Sequence, residues 1–150
     1  MNPLATQLEA AADPGTGDWY AAFRLGDSFF RFNGDSLRAV RTSYIEPIAF
    51  PQPLVSRSGN TTTRFETRPP TAARSISLSP ERVHILFGGT TERRNRWVDS
   101  YSRRDGTYME SLLLPEPAIS IAWYRGGFHV LQENPSPELV HRTPTGRSLP

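Results

Sequence analysis

The chain has 150 residues, of which 37% are hydrophobic, and a formal net charge of +2 at neutral pH. This composition is sufficient for one domain with an apolar core, and no run of about 18 apolar residues predicts a transmembrane helix. Cysteine is absent, which excludes disulfides and thiolate metal sites.

Residues 1–17 are predicted to be a flexible or short helical N-terminal segment. Asn2-Pro3 could cap a helix through Leu8 and Ala12 that ends before Asp13-Pro14-Gly15. The segment has neither a basic start nor an apolar stretch, so no signal peptide is visible in it.

Residues 18–150 are predicted to form β-propeller blades, with a Pro-rich insertion at about 46–71. The first hairpin signal is Asn33-Gly34-Asp35, which separates two strand-like runs around Phe30 and Ala39.

A strand pair is repeated in the second half of the chain. Residues 75–79 and 83–86 recur as residues 118–122 and 128–131. Aligning Ile76 with Ile119 gives an offset of 43, whereas the second strands are offset by 45, which we interpret as a longer turn in the second copy. A period of about 43 residues with several strands per copy is typical of propeller blades.

The first copy contains two further predicted strands, which meet at Asp105-Gly106. This dipeptide favours a tight hairpin because glycine accepts positive φ without steric cost. Four strands are therefore predicted from Ser75 to Leu114. In the first strand, serines alternate with Ile76 and Leu78, as expected for a strand near a crowded axis.

These residues resemble a known group of proteins. The run Ser77-Leu78-Ser79-Pro80, the Asp99-Ser100-Tyr101 segment and the Leu114-Pro115 exit are similar to blades of bacterial six-bladed propellers of the TolB-like and NHL-like group. The resemblance spans roughly residues 18–143 and concerns the fold. It implies an all-β chain of four-stranded antiparallel blades and a periplasmic or secreted location.

At about 40–45 residues per blade, the chain is long enough for about three blades. We therefore expect an incomplete ring, for which three explanations stay open. The chain could be part of a longer protein, two copies could close a ring together, or the insertion could replace missing blades. A protein partner or self-association that completes the propeller is accordingly expected.

His84 and His129 occupy matching positions in the repeat. A metal site would need a third ligand close by, so we favour two half-buried structural histidines that hydrogen-bond a neighbouring loop, and we expect no metal or other cofactor. Trp123, Tyr124 and Arg125 precede a glycine turn and are the weak candidates for ligand binding, because aromatic rings near a turn can stack on a ligand.

No catalytic template is recognisable in the sequence. The leading hypothesis is a non-enzymatic propeller segment that acts as a binding or structural scaffold. One alternative is part of a metal-dependent, lactonase-like propeller hydrolase. The other is an arginine-rich nucleic-acid binder, disfavoured because Arg93, Arg94 and Arg96 are predicted at the opposite end of a sheet from Arg103 and Arg104.

Overall fold

The computed structural model describes residues 7–42, 44, 54–55, 63–64, 71–132 and 137–142. Over these ranges the chain is all β and contains no helix, which confirms the expected fold class at the level of antiparallel sheets. A helix with the length and apolarity needed to cross a membrane is accordingly not found in the described ranges.

Most strands belong to three antiparallel sheets in which neighbours along the chain pair with each other. Sheet 1 contains β1 (Leu8–Ala12), β2 (Trp19–Phe23), β3 (Ser28–Asn33) and β4 (Ser36–Arg41). The short strands β5 (Leu54–Val55) and β6 (Thr63–Arg64) pair separately. Sheet 2 contains β7 (Thr71–Leu78), β8 (Arg82–Gly89), β9 (Trp97–Ser102) and β10 (Tyr108–Leu113). Sheet 3 contains β11 (Ala118–Tyr124), β12 (Gly127–Gln132) and β13 (Glu138–Arg142).

The N-terminal segment differs from the short helix or flexible tail suggested by the sequence. Residues 8–12 form β1, which pairs with β2 in a register that places Ala12 opposite Trp19 and Leu8 opposite Phe23. The apolar residues that suggested one face of a helix instead alternate along a strand, since backbone pairing with β2 outweighs the helix propensity of alanine. Of the Pro-rich insertion at about 46–71, only β5, β6 and Thr71, which begins β7, lie within the described residues.

The three sheets lie side by side through their first strands. β7 of sheet 2 contacts β1 of sheet 1 and β11 of sheet 3. One apolar core lies between sheets 1 and 2 and includes Tyr20, Phe29 and Ile85. A second lies between sheets 2 and 3 and includes Leu86 and Val130. Sheet 2 is therefore packed against another sheet on both faces.

The two strand pairs that resemble each other in sequence both form hairpins, but their pairing registers correspond differently from the sequence alignment. Ser75 pairs with Leu86, and Ser120 pairs with Leu131, so both strands of the repeat are offset by 45 residues. Ile76 thus corresponds to Ile121, and the predicted difference in turn length is wrong. Side chains in a strand alternate with a period of two, so a shift of two residues keeps every side chain on its face, and the pattern alone could not detect it.

Some hairpin glycines have a positive φ, whereas another lies in a strand where neighbouring atoms leave no room for a side chain. Gly106 has a φ of 76°, as predicted for the Asp105-Gly106 hairpin. In sheet 3 the turn consists of Arg125 and Gly126, with φ of 47° and 82°, whereas Gly127 is already the first residue of β12. A Cβ on Gly127 would lie 2.7 Å from the Arg142 carbonyl oxygen of β13, so this position is crowded.

Candidate interaction surfaces

The contact between sheets 2 and 3 shows how one sheet face covers the next. The Ile121 amide donates to Ser75 Oγ at 3.2 Å, and the Trp123 amide donates to Ser77 Oγ at 2.7 Å. The His84 ring stacks on the indole of Trp123, with centroids 5.1 Å apart. Small hydroxyls on the first strand therefore allow close approach of the neighbouring strand while satisfying its backbone donors.

Sheet 1 has a second face, which points away from sheet 2 and which we name the sheet-1 end face. Trp19 and Leu37 on this face are 57% and 61% exposed. Phe23 and Phe30 contact edge to face, with centroids 5.1 Å apart. By strand alternation from Tyr20, which lies in the core, the face consists largely of apolar residues: Leu8, Ala10, Ala12, Trp19, Ala21, Phe23, Phe30, Phe32, Leu37 and Ala39.

Sheet 3 also has a face that points away from sheet 2, which we name the sheet-3 end face. Tyr124 and Leu139 on it are 52% and 65% exposed. The imidazoles of His129 and His141 are direct cross-strand neighbours, with ring centroids 4.9 Å apart. The face contains no carboxylate among its described residues: Ser120, Ala122, Tyr124, His129, Leu131, Leu139 and His141.

The structure separates the three ligand-binding candidates. Trp123 points toward sheet 2, where its ring packs on His84 and Phe128. Tyr124 points the other way, onto the sheet-3 end face, and the Arg125 guanidinium lies 5.1 Å from the centroid of its ring. Tyr124 and Arg125 are thus together on an accessible surface, whereas Trp123 belongs to an internal contact.

His84 and His129 have different surroundings despite their matched positions. His84 is 2% exposed, and its Nδ1 lies 2.9 Å from the Ser100 hydroxyl on the adjacent strand β9, which is a partner within the sheet and not in a loop. Burial, with a smaller effect from the charge of Arg82, lowers the pKa of His84 to about 3. His129 is half-buried and contacts the rings of Tyr124 and His141.

A buried carboxyl group escaped the sequence reasoning. Asp99 is fully buried between sheets 1 and 2, where its Oδ1 accepts a hydrogen bond from Ser111, whose hydroxyl lies 2.7 Å from that of Tyr108. Burial raises the pKa of Asp99 to about 6, although the hydrogen bond from Ser111 opposes the shift. The available signal is a charged residue in the middle of the strand Trp97–Ser102, between Val98 and Tyr101.

The polar contacts of Arg103 join sheets 1 and 2. Its guanidinium pairs with Asp13, lies 3.3 Å from the Tyr20 hydroxyl and donates to the Ser79 carbonyl at 3.1 Å. Hydrogen bonding to Arg103 lowers the pKa of Asp13 to about 2. Since Arg96 donates to the Leu114 carbonyl at the other end of sheet 2, the arginines of the two loops are not brought together.

No group of three or more His, Cys, Asp or Glu side chains that could hold a metal ion is found among the described residues. No protein-family model matches the chain, and no curated protein is significantly similar to it. The end faces, defined by their exposed apolar side chains, are therefore the features from which a function can be argued.

Proposed function

We propose that the three sheets are consecutive blades of a β-propeller and that the chain is a non-enzymatic scaffold that binds polypeptide through its end faces. The observation that carries the proposal is the sheet-1 end face. Contiguous apolar patches of this kind are uncommon on monomers and mark interaction sites. Trp19 is of the residue type that most often anchors protein interfaces, and the exposed Phe32 and Leu37 extend the apolar area around it.

The arrangement of the sheets supports the propeller part of the proposal. In a propeller the sheets are repeated radially, with their first strands nearest the axis. Here β1, β7 and β11 are adjacent in that order, and each is the first strand of its sheet. The resemblance of residues 18–143 to TolB-like and NHL-like propellers points to the same architecture and, as a further proposal, to that group.

The apolar probe bis-ANS tests the binding role of the sheet-1 end face. We compare the wild-type chain with the double variant Trp19→Ser/Leu37→Ser, using Met109→Ser as the control, since Met109 is exposed on β10 and lies outside both end faces. The wild type and the control should either self-associate in sedimentation velocity or bind bis-ANS. The double variant should do neither to a comparable extent. A monomeric wild type that binds no more bis-ANS than the double variant would remove the proposal.

A further inference from the structure

We infer that the partner of each end face is a second copy of this chain, with the sheet-1 end face of one copy packed on the sheet-3 end face of the other, and the reverse. Two copies would thereby close one ring of six sheets. This inference rests on the proposed function and identifies the partner. It follows from the order in which sheet faces meet inside the chain.

In each contact between neighbouring sheets of the chain, one sheet packs one of its faces on the opposite face of the next sheet. Sheet 1 presents the face of Tyr20 to the face of sheet 2 that carries Val83 and Ile85. Sheet 2 presents the face of His84 and Leu86 to the face of sheet 3 that carries Phe128 and Val130. The contact of sheet 1 with sheet 2 and the contact of sheet 2 with sheet 3 are therefore of the same type, and each sheet packs on the sheet that follows it in the chain.

The two end faces correspond to the two surfaces that meet in each internal contact between sheets. The sheet-3 end face carries His129 and Leu131, which correspond in the repeat to His84 and Leu86 of sheet 2. The sheet-1 end face corresponds to the receiving face. Within the chain, His84 meets the aromatic rings of Trp123 and Phe128. The sheet-1 end face offers such rings in Trp19, Phe30 and Phe32.

The chemistry of the two faces is compatible with mutual burial. Neither face would leave an unpaired carboxylate in the contact. Arg41, at one end of the sheet-1 end face, is paired with Asp27 at 3.1 Å. Interface cores are depleted in charged residues, as both faces are, and enriched in aromatic ones, as the sheet-1 end face is.

The number of large sheets among the described residues is compatible with a second copy. Propellers close with about 4–8 blades, and three such sheets from each of two copies fall within that range. Two-fold dimers are the commonest oligomers, and a two-fold axis pairs sheet 1 with sheet 3 at both seams. Closure also covers the two end faces, whose exposed apolar side chains would otherwise favour uncontrolled association.

Cysteine cross-linking tests the pairing directly, because the chain has no cysteine of its own. Ala10→Cys places a thiol on the sheet-1 end face at β1, and Ala122→Cys places one on the sheet-3 end face at β11. Each variant is treated with a short bifunctional thiol reagent, alone and in an equimolar mixture. Glu92→Cys, in an exposed loop of sheet 2, replaces either partner as the control.

The inference requires a cross-linked dimer in the mixture of Ala10→Cys and Ala122→Cys, with at least a fivefold lower yield from each variant alone and from mixtures with Glu92→Cys. Cross-linking of Ala10→Cys with itself would show that like faces pair and would overturn the ring. Absence of cross-linking in a chain that is monomeric and binds bis-ANS would also overturn the second copy, while leaving the scaffold proposal standing.

Leu37→Glu provides an independent test that does not use thiols. A carboxylate at this exposed position of the sheet-1 end face should weaken self-association at least tenfold in sedimentation equilibrium, whereas Met109→Glu should leave it unchanged. Equal association of the two variants would contradict the role of the end face. Circular dichroism establishes that both variants are folded.

Discussion

Sheet 2 and sheet 3 carry the same repeat in different surroundings. His84 and Leu86 of sheet 2 are fully buried beneath sheet 3, whereas His129 and Leu131 of sheet 3 are only partly buried. The strand pairing at the two sites is equivalent. The difference therefore arises from the neighbouring sheet and not from the strand itself, and sheet 3 presents a face of the kind that sheet 2 has covered.

The largest effect is expected from truncating the two matched leucines. Leu86→Ala should lower the free energy of unfolding by about 2–5 kcal/mol, because it leaves a cavity between two sheets. Leu131→Ala should cost about 1 kcal/mol or less, as the site is partly open to solvent. Urea unfolding in a Leu37→Glu background measures both without self-association. Equal losses would show that the two faces are equally covered within one chain.

Gly106 tests the contact between sheets 1 and 2. A Cβ at this position would lie 2.5 Å from a methyl group of Val40, and φ is 76°. Gly106→Val should therefore destabilise the fold by about 2–4 kcal/mol, through backbone strain and overpacking together. The matched variant Gly34→Val shares the positive φ but has no atom within 4 Å of the added Cβ, so it should cost less. Thermal unfolding of both variants is the measurement, and equal costs would exclude the packing contribution.

Asp99 should make the fold less stable as pH rises. The pKa of Asp99 is about 6 in the fold, compared with an ordinary value of 3.8, so the folded state retains the proton between these values and the unfolded state does not. The pH-dependent gain from Asp99→Asn should be absent near pH 4 and reach roughly 3 kcal/mol above pH 6. Urea unfolding at several pH values measures it. A stability gain from Asp99→Asn that does not change with pH would contradict the burial of the Asp99 carboxyl group.

His84 should have the opposite dependence on pH. The pKa of His84 is about 3 in the fold, compared with an ordinary value of 6.5, so its contribution to stability is complete above pH 6.5 and is lost as pH falls toward 3. At pH 7, His84→Gln should cost about 1–3 kcal/mol through the lost hydrogen bond to Ser100. It should also flatten the decline in stability on acidification.

His129→Gln is the matched control for His84→Gln. In the monomeric Leu37→Glu background, His129→Gln should change the free energy of unfolding by about 0.5 kcal/mol or less, because the His129 ring is not enclosed by a second sheet. A cost equal to that of His84→Gln would show that the sheet-3 end face is already covered within the chain.

The sequence was informative where local chemistry decides the structure. Asp105-Gly106 predicted a hairpin with positive φ, and the strand runs of sheet 2 were located because apolar residues there are bounded by turn residues. The register of the repeat was not predictable, since a slip of two residues preserves the faces. Residues 8–12 were misassigned because the partner strand, not their composition, determines that they are extended.

The candidate surfaces were predictable only in part. The sequence predicts an incomplete ring, but alternation alone does not say which face of a sheet meets a neighbour. The sequence predicts Trp123 and Tyr124 together as ligand candidates because they precede a glycine turn, yet adjacent residues of a strand point to opposite sides. The burial of Asp99 required knowledge of how sheets 1 and 2 pack.

The mass of the chain in solution tests the central claim most directly. If the two end faces are the halves of one interface, sedimentation equilibrium at micromolar concentration should give twice the chain mass of 16.8 kDa for the wild type and a single chain mass for Leu37→Glu. A wild-type monomer that unfolds cooperatively would contradict the account, because the end faces would then be stable without a second copy.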